Sequence, residues 1–378
     1  MRSSTIPRIG ILGGGQLGRM LLQAAANYPV ETFVMENDNA CPAAHLCHHF
    51  TKGDIKDFDA VYNFGKNLDA VTIEIENVNV EALEKLESTG VKIFPRPGVL
   101  KIIKDKILQK QFYHQFEIPT ADFVITSGLN DLNDHKDFFP AVHKLGKGGY
   151  DGRGVQLIKT ADEIEKGFDE PSVLEKLVDI QKEIAQMIAV NEKGEAAVYP
   201  PVEMHFDPDL NLLDYQLCPA NIEEKIKWKA EAVALSVVKN FHSPGIFAVE
   251  MFVDIKGNVF VNETAPRVHN SGHHTIEAHF CSQFDMLWRI MLGYPPGNTN
   301  HILPSVMVNI IGSGSTKGDV KYEGLEEVLK IENAYIHLYG KKQTKPGRKM
   351  GHVTILSNEM KSLPAKAEEI KKTLKAKA

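Results

Sequence analysis

Residues 144–154 (KLGKGGYDGRG) hold five glycines within eleven positions and follow a short apolar run. This glycine density favours a strand–turn–strand that bends sharply and exposes backbone N–H groups. Lys144 stands at the start of the run, while Asp151 and Arg153 bring both signs of charge to its tip. A surface hairpin that needs glycines only for its turns is the alternative, but it leaves these charges unexplained. The run therefore predicts a lid that folds over a polyphosphate, with Lys144 beside the phosphates.

Two apolar strand patterns, 247–252 and 259–263, are joined by a turn at 254–258. In an antiparallel hairpin with this loop, Glu250 and Glu263 lie near each other on the same face. Two buried carboxylates repel each other unless they are protonated or bridged by cations. Mg²⁺ binds carboxylate oxygens together with substrate phosphates, so the pair predicts a magnesium–ATP site. A placement of both glutamates on the open surface is the alternative.

The segment 267–274 (RVHNSGHH) follows the second of these strands. The spacing of four between His269 and His273 would suit zinc on a helix, but the Asn-Ser-Gly between them is a turn-forming triplet. Arg267, next to the carboxylate pair in sequence, is suited to binding an oxyanion through two hydrogen bonds. The segment therefore predicts an anion pocket, in preference to a zinc site or a purely structural turn.

The loop 13–18 (GGGQLG) matches G-x-G-x-x-G between a strand and a helix, and Glu36 stands where a dinucleotide-binding acid would. A nicotinamide-dependent dehydrogenase is therefore a rival interpretation. Nothing downstream resembles a hydride-transfer site, whereas the two motifs above suit phosphates. The apolar segment 174–178, followed by Glu183, predicts a backbone edge for adenine and a carboxylate for ribose. An ordinary strand between domains is the alternative for that segment.

Strand and helix patterns alternate along the first part of the chain, which predicts a parallel, doubly wound sheet. At 378 residues the chain exceeds a single core of about 250–300 residues, so two or three domains are expected. The predicted strands are 8–13, 30–36, 70–75, 91–94, 183–189, 196–202, 246–254 and 258–262, and the longer predicted helices are 17–28, 100–116, 223–241 and 275–292.

Charge and composition exclude several classes of protein. A net charge of −6 argues against general nucleic-acid binding, and no apolar run approaches the ~18–20 residues that span a bilayer. Four cysteines make no disulfide framework and no signal-peptide pattern opens the chain, so a cytoplasmic location is expected. Cysteines and histidines at 41–49 could bind zinc, but without a second paired cluster they are interpreted as a loop leading into a strand.

These motifs resemble those of the ATP-grasp superfamily and, within it, of the N5-carboxyaminoimidazole ribonucleotide synthetase family. The resemblance implies a mixed α/β and α+β chain in three parts. These are a Rossmann-like N-terminal domain (1–118), an ATP-grasp lid (119–180) and a catalytic domain (181–378) with a small subdomain from about 312. The segments that carry it are GGGQLGRM (13–20), TIEIENV (72–78), 148–154, 262–273, YGK (339–341) and PGRKMGH (346–352).

The resemblance also implies a reaction. Bicarbonate would attack the γ-phosphoryl group of ATP to give carboxyphosphate and ADP. The carboxyl group would then pass, as CO₂ in a closed pocket, to the amine of 5-aminoimidazole ribonucleotide, a step of purine biosynthesis. The implied cofactors are ATP and Mg²⁺, with Mn²⁺ able to substitute. A cytoplasmic homodimer without nucleic-acid or membrane partners is implied as well.

Site residues follow from the resemblance position by position. Arg267, His273, Arg153 and Asp151 are implied as catalytic, and Glu250 and Glu263 as magnesium ligands. Implied ATP contacts are Lys104, Lys106, Lys144, Gly149, Tyr150, Gly152, Glu175, Val178, Glu183 and Asn262. Implied substrate contacts are Gln16, Glu76, Tyr150, Asp151, Arg153, Asn270, Lys341 and Arg348, with Lys341 and Arg348 as a clamp for the ribonucleotide 5′-phosphate.

One position departs from the family pattern, because His274 stands where a bulky aromatic residue usually follows His273. This change concerns the packing behind the predicted anion pocket. Within the superfamily, a formate-dependent glycinamide ribonucleotide transformylase and a biotin carboxylase have similar parts, although biotin carboxylases are longer. A nucleotide-sensing protein without catalysis is a further alternative.

Overall fold

The computed structural model describes residues 6–149 and 154–378. The first part of the chain alternates strands and helices. Its elements are β1 (Arg8–Leu12), α1 (Gln16–Ala25), β2 (Glu31–Glu36), β3 (His49–Lys52), α2 (Phe58–Gly65), β4 (Ala70–Ile73), α3 (Val80–Ser88), β5 (Lys92–Phe94), α4 (Pro97–Ile103) and α5 (Lys106–Gln115).

The middle and end of the chain are richer in antiparallel strands. The strands are β6 (Phe123–Thr126), β7 (Ala141–Leu145), β8 (Val155–Ile158), β9 (Ser172–Lys176), β10 (Ile180–Val190), β11 (Ala196–Val198), β12 (Val202–Phe206), β13 (Leu213–Cys218), β14 (Gly245–Asp254), β15 (Val259–Ala265), β16 (Ser305–Ile311), β17 (Gly318–Asp319), β18 (Lys321–Glu323), β19 (Ala334–Leu338), β20 (Gln343–Thr344), β21 (Lys349–Leu356) and β22 (Lys375–Lys377). The helices are α6 (Glu224–Asn240), α7 (Thr275–Ala278), α8 (Gln283–Met291), α9 (Leu325–Leu329) and α10 (Leu363–Thr373), with short 3₁₀ segments at Leu129–Phe138, Ala161–Lys166, Asn270–Gly272 and Met360–Ser362.

The N-terminal sheet has the order β3-β2-β1-β4-β5, and all its strand pairs are parallel. Its central strands β1 and β4 are almost wholly buried, as expected for a parallel sheet covered on both faces. The parallel sheet predicted from the alternating patterns is therefore confirmed. The glycine loop and the segment after β4 leave the sheet at its carboxyl edge, where ligands meet such sheets.

A four-stranded antiparallel sheet, β6-β9-β7-β8, follows in the chain. Strands β7 and β8 are the two arms of the predicted glycine-rich hairpin and pair from Ala141↔Ile158 to Lys144↔Val155. A small core of Leu132, Ala141, Ile158 and Leu174 holds this sheet together. Lys144 thus lies near the end of the short strand β7, directly before the glycine run.

The largest sheet has nine strands in the order β15-β14-β10-β12-β13-β16-β21-β19, with β11 paired to β10. Helix α6 packs on one face through buried residues such as Ala234 against Phe247. Helix α8 packs on the other face, and its Trp288 donates a hydrogen bond from Nε1 to the carbonyl oxygen of Leu21 at 2.7 Å. This contact fixes α1, and with it the glycine loop, against the large sheet.

Two predicted helices are wrong in extent, because each is split by a capping residue. The segment 100–116 contains α4 and α5, separated where the Asp105 side chain accepts hydrogen bonds from the N–H groups of Ile107 and Leu108. The segment 275–292 contains α7 and α8, separated where Ser282 caps α8. Asp and Ser favour helix N-termini over helix interiors. The prediction of one long helix in each segment followed the apolar periodicity and missed this capping residue.

Candidate active site

The glycine loop between β1 and α1 binds the chain's own carboxylates. The N–H groups of Gly15 and Gly18 donate to the two carboxylate oxygens of Glu74, each at 2.9 Å, and Gly14 donates to Glu36 at 3.1 Å. A Cβ on Gly13 would lie 2.4 Å from Glu74 Cγ, so the glycines are needed for this close approach. These N–H groups are the ones that a dehydrogenase would offer to a pyrophosphate. Their occupation argues against the dehydrogenase interpretation.

The predicted carboxylate pair lies on one hairpin. Glu250 of β14 and Glu263 of β15 are opposite each other in the register of the two strands. Lys106 Nζ lies 3.0 Å from Glu263 Oε2, and His269 Nε2 lies 3.6 Å from Glu250 Oε1. Burial, followed by the charges of Glu263 and Glu183, raises the pKa of Glu250 to about 8. Lys106 holds the pKa of Glu263 well below its usual range.

This electrostatic arrangement fits a divalent cation. Two adjacent negative charges repel each other, and the raised pKa of Glu250 reflects its burial together with this repulsion. A cation between the two carboxylates would remove that conflict, and oxygen ligands with open positions are what Mg²⁺ prefers. Asn262, the neighbour of Glu263, accepts a hydrogen bond from Lys144 Nζ at 3.0 Å, and this bond joins β7 to the hairpin of β14 and β15.

A buried carboxylate positions two lysines beside the pair. Glu175 on β9 is 4% exposed and lies 3.1 Å from the ammonium nitrogens of both Lys110 and Lys144. Although burial opposes ionisation, the two cations hold the pKa of Glu175 below its ordinary value. The side chain of Glu175 therefore serves the lysines, which leaves only its backbone for the adenine contact predicted for 174–178.

The other predicted ATP contacts lie on several elements, and Lys104 faces the N-terminal part of the chain. Lys106 faces Glu263, whereas Lys104 Nζ donates to the carbonyl oxygen of Val78 at 2.9 Å. Glu183 on β10 is half-buried, its pKa is raised by burial, and its charge acts on Glu250. Val178 lies in the connection between β9 and β10, and Gly149 lies on the hairpin after β7. Tyr150, Asp151, Gly152 and Arg153 lie outside the described residues.

The predicted anion pocket joins the first sheet to the large one. Arg267, just after β15, lies with its Nε 2.9 Å from Glu76 Oε1, in the segment after β4. Asn270 exchanges hydrogen bonds of 3.1 and 2.8 Å with Asn309 of β16. Both Arg267 and Glu76 keep part of their surface exposed, so they can reach a bound molecule. The site therefore lies between elements that are distant in the chain.

His273 has a different position from the one implied by a direct catalytic role. It is 1% exposed, its Nδ1 lies 3.2 Å from Gln283 Nε2, and its ring packs 4.9 Å from that of His352. Burial lowers its pKa well below the usual value, so the imidazole is neutral. This geometry suits a residue that packs against the core side of the turn 269–272 and stabilises its conformation.

The basic loop at residues 341–349 approaches the glycine loop. Lys341 Nζ donates to the carbonyl oxygen of Lys349 at 2.7 Å, and Arg348 Nη1 donates to that of Gln343 at 2.7 Å. Burial, followed by the charge of Arg348, lowers the pKa of Lys341 to about 8, while Glu74 opposes this shift. A Cβ on Gly340 would meet Arg19 Nη1 at 3.5 Å. Gln16, the first residue of α1, lies at the same loop.

Sequence reasoning missed three of these residues. Lys110 lies one turn after Lys106 on α5, and this spacing of four places both on one helix face, a signal that could have found it. Glu74 and Arg19 both lie within segments that carried the family resemblance, but neither was singled out. The glycines that donate hydrogen bonds to Glu74 are 56 and 59 residues away in the chain, and no local pattern indicates contacts at such distances.

Family models and solved structures match the chain over nearly its full length. The matching family models are a ribonucleotide synthetase preATP-grasp domain (6–104), an ATP-grasp domain (111–284) and a phosphoribosylaminoimidazole carboxylase C-terminal domain (305–366). The crystal structure of N5-carboxyaminoimidazole ribonucleotide synthetase from Thermotoga maritima is 39% identical with a TM-score of 0.92, covering 99% of this chain and 100% of that one.

A second similar structure carries ligands. N5-carboxyaminoimidazole synthase from Aspergillus clavatus, in complex with ADP and 5-aminoimidazole ribonucleotide, is 32% identical with a TM-score of 0.88, covering 97% of this chain and 98% of that one. The phosphoribosylaminoimidazole carboxylase of the Vigna aconitifolia chloroplast is 34% identical over 94% of this chain, but the chain spans only 65% of its length. The chain belongs to the N5-carboxyaminoimidazole ribonucleotide synthase family of ATP-grasp proteins.

Proposed function

We propose that this protein carboxylates the amine of 5-aminoimidazole ribonucleotide with bicarbonate, at the expense of ATP, as a ligase of purine biosynthesis. The observation that carries the proposal is the opposed pair Glu250 and Glu263, flanked by Lys106 and by the Lys144 strand of the hairpin. The bound ADP and 5-aminoimidazole ribonucleotide of the Aspergillus clavatus relative support both substrates. Carboxyphosphate formed from bicarbonate and the γ-phosphoryl group is the proposed intermediate.

Each group of side chains has a proposed task. Glu250 and Glu263 would hold Mg²⁺ (or Mn²⁺), which would supply charge neutralisation for the phosphoryl group. Lys106 and Lys144 would contact the ATP phosphates, Glu183 the ribose, and the 174–178 backbone the adenine. A cradle of fixed cations around a departing phosphoryl group lowers the barrier because it is organised before the reaction begins.

The ribonucleotide would bind between the first sheet and the large sheet. Glu76 and Arg267 would face its aminoimidazole and the bicarbonate, while Lys341 and Arg348 would clamp its 5′-phosphate. Tyr150, Asp151 and Arg153, together with Gln16 and Asn270, complete the proposed contacts. We further propose three domains (1–118, 119–180 and 181–378), a cytoplasmic location and a homodimer. None of the helices in residues 6–149 and 154–378 has the length and apolar content needed to cross a membrane.

ADP release tests the proposed reaction. The protein is mixed with Mg²⁺, ATP and bicarbonate, with and without 5-aminoimidazole ribonucleotide, and ADP is followed by a coupled assay. Release that depends on the ribonucleotide is expected. Release only with glycinamide ribonucleotide and formate, or only with biotin and bicarbonate, would keep the superfamily and overturn the substrate. A change in the absorption spectrum of NADH when it is mixed with the protein would instead favour the dehydrogenase interpretation.

Arg348→Ala is expected to raise the KM for the ribonucleotide by about tenfold while kcat changes little, because a phosphate clamp binds substrate and transition state alike. Steady-state kinetics with varied ribonucleotide measure this. Lys342→Ala is the matched control, since Lys342 is an exposed cation of the same loop. Equal KM values for the Arg348→Ala protein and the unchanged protein would refute the clamp.

The thermal stabilisation by Mg²⁺ is expected to increase as the pH rises from about 6.5 to about 8.5, because Glu250 must lose its proton to bind a cation. The pKa of Glu250 is raised from 4.5 to about 8 in the folded protein. Without metal, the protonated Glu250 therefore contributes fully to the free energy of unfolding below pH 4.5, and this contribution is lost as the pH rises towards 8. Melting temperatures with and without Mg²⁺ measure the effect. Glu250→Gln should remove the pH dependence, and a stabilisation that is independent of pH would contradict the assignment.

A further inference from the structure

Three buried side chains outside the proposed ATP and ribonucleotide contacts meet behind the turn that carries Arg267 and Asn270. Cys218 is the last residue of β13, and His274 and His279 flank the single turn of α7. They are 1%, 1% and 4% exposed. One ligand-capable atom from each residue lies within 4.8 Å of those of the other two, and Cys218 Sγ is 3.9 Å from His279 Nε2.

The polar atoms of this cluster are left without ordinary partners. Among the residues that the structure describes, none forms a hydrogen bond with His274 Nε2, His279 Nδ1 or Gln216 Oε1. Gln216 Nε2 instead donates to the Ser271 carbonyl oxygen and lies 2.9 Å from His274 Nδ1. Buried polar groups rarely stay unpaired, and an ion is one of the few explanations for several such atoms in one place. The unpartnered Nε2 atom of His274, next to a thiol and a second imidazole, is therefore available to bind a metal ion.

We propose that Cys218, His274 and His279 bind one Zn²⁺ ion. A thiolate and two imidazoles form a ligand set that Zn²⁺ prefers over the oxygen-seeking Mg²⁺. Zinc bond lengths of about 2.0–2.3 Å in a tetrahedron place ligand atoms roughly 3.5 Å apart, so the observed spacing needs only a small contraction. A water molecule or the half-buried His301, whose backbone pairs with that of His279, completes the tetrahedron.

Proton balance in this step is simple. Zinc binding releases the thiol proton of Cys218 to solvent and leaves a Zn–thiolate bond. His274 and His279 bind as neutral imidazoles, each through one ring nitrogen, while the other ring nitrogen keeps its proton.

The ion would have a structural task. It would link the end of β13 to both ends of α7, directly behind His273 and the turn 270–272. That turn places Asn270 and, three residues before it, Arg267. The zinc site would thus fix the backbone of the proposed anion pocket without touching a substrate.

Metal content of the purified protein tests the proposal. The chain is produced in zinc-supplemented medium, its affinity tag is removed, and it is dialysed before elemental analysis. We expect about one zinc ion per chain, falling to background in Cys218→Ser and in His274→Phe. Cys47→Ser is the matched control and should keep its zinc, because the histidines near Cys47 have other partners: His48 meets Thr32 and His49 meets Glu31.

Cobalt substitution provides a readout that does not depend on the variants folding. Co²⁺ added to the metal-free, otherwise unchanged protein should produce the near-ultraviolet absorption of a cobalt–thiolate bond. Absence of this band, or zinc at background in the unchanged protein, would overturn the site. Zinc retained at full content by folded Cys218→Ser would overturn it as well. Neither measurement involves ATP or the ribonucleotide, so their outcome is independent of the proposed reaction.

Discussion

Glu263→Gln is expected to reduce ATP turnover by about a thousandfold, on the order of 4 kcal/mol of transition-state stabilisation. Glutamine keeps the size of the side chain but removes the charge that faces Glu250 across the hairpin. A cation bound between the two strands, as we propose, would lose one of its two carboxylate ligands. Lys106 would lose its partner as well, so one of the two lysines proposed to face the ATP phosphates would no longer be held in place. Ribonucleotide-dependent ADP release at saturating ATP measures the change.

The fold should survive this substitution. The Glu263 side chain is 48% exposed, and ion pairs with so much solvent contact contribute about 1 kcal/mol or less. Thermal unfolding should therefore shift by only a few degrees. Glu327→Gln is the matched control, because Glu327 pairs with Lys330 on the surface helix α9. Normal turnover by Glu263→Gln with saturating Mg²⁺ would contradict the metal assignment.

The hairpin that carries this site could be predicted because its determinants are local. Side chains in a strand alternate with a period of two, and a short turn sets the register, so the spacing of Glu250 and Glu263 already implied that they oppose each other. The structure has this register, with an irregularity just after the pair. The parallel N-terminal sheet was predictable for the same reason, since each strand and helix has its own periodicity.

The partners of the buried charges could not be predicted in this way. Glu175 contacts Lys110 and Lys144 because β9 packs between α5 and β7, an arrangement that only the folded chain defines. Glu74 likewise meets the glycine loop only because β4 lies beside β1. A G-x-G-x-x-G pattern indicates a close approach to the helix N-terminus. It does not say whether a phosphate or a carboxylate makes that approach.

The histidines illustrate a related limit. The pattern at 267–274 predicted an anion pocket, but sequence alone does not tell which of its side chains face the pocket and which point into the core. Arg267 is partly exposed beside Glu76, whereas His273 and His274 are each only 1% exposed. Their orientation depends on the 3₁₀ turn Asn270–Gly272 and on contacts with β16 and α8. The departure at His274 was visible in the sequence, but its neighbours Cys218 and His279 were not.

Arg267→Ala is expected to lower kcat by a factor of about 10²–10³ and to leave the KM for ATP nearly unchanged. The guanidinium group stands beside Glu76, where the first sheet meets the large one, and we propose that it faces the bicarbonate. A charge that develops on the reacting oxyanion would lose its pre-organised partner. The KM for ATP would stay nearly unchanged, because we propose that Lys106 and Lys144, and not Arg267, contact the ATP phosphates.

Arg267→Lys separates charge from geometry. A lysine keeps the positive charge but lacks the planar fork that binds a carboxylate or an oxyanion through two hydrogen bonds, so it should restore at most a small part of the lost kcat. Arg8→Ala is the matched control, because Arg8 forms an exposed ion pair with Glu31 at the other end of β1. If Arg267→Ala raised only the KM for the ribonucleotide at unchanged kcat, Arg267 would bind substrate and transition state equally. The stabilisation of the reacting oxyanion would then be assigned to the residues of the glycine-rich hairpin.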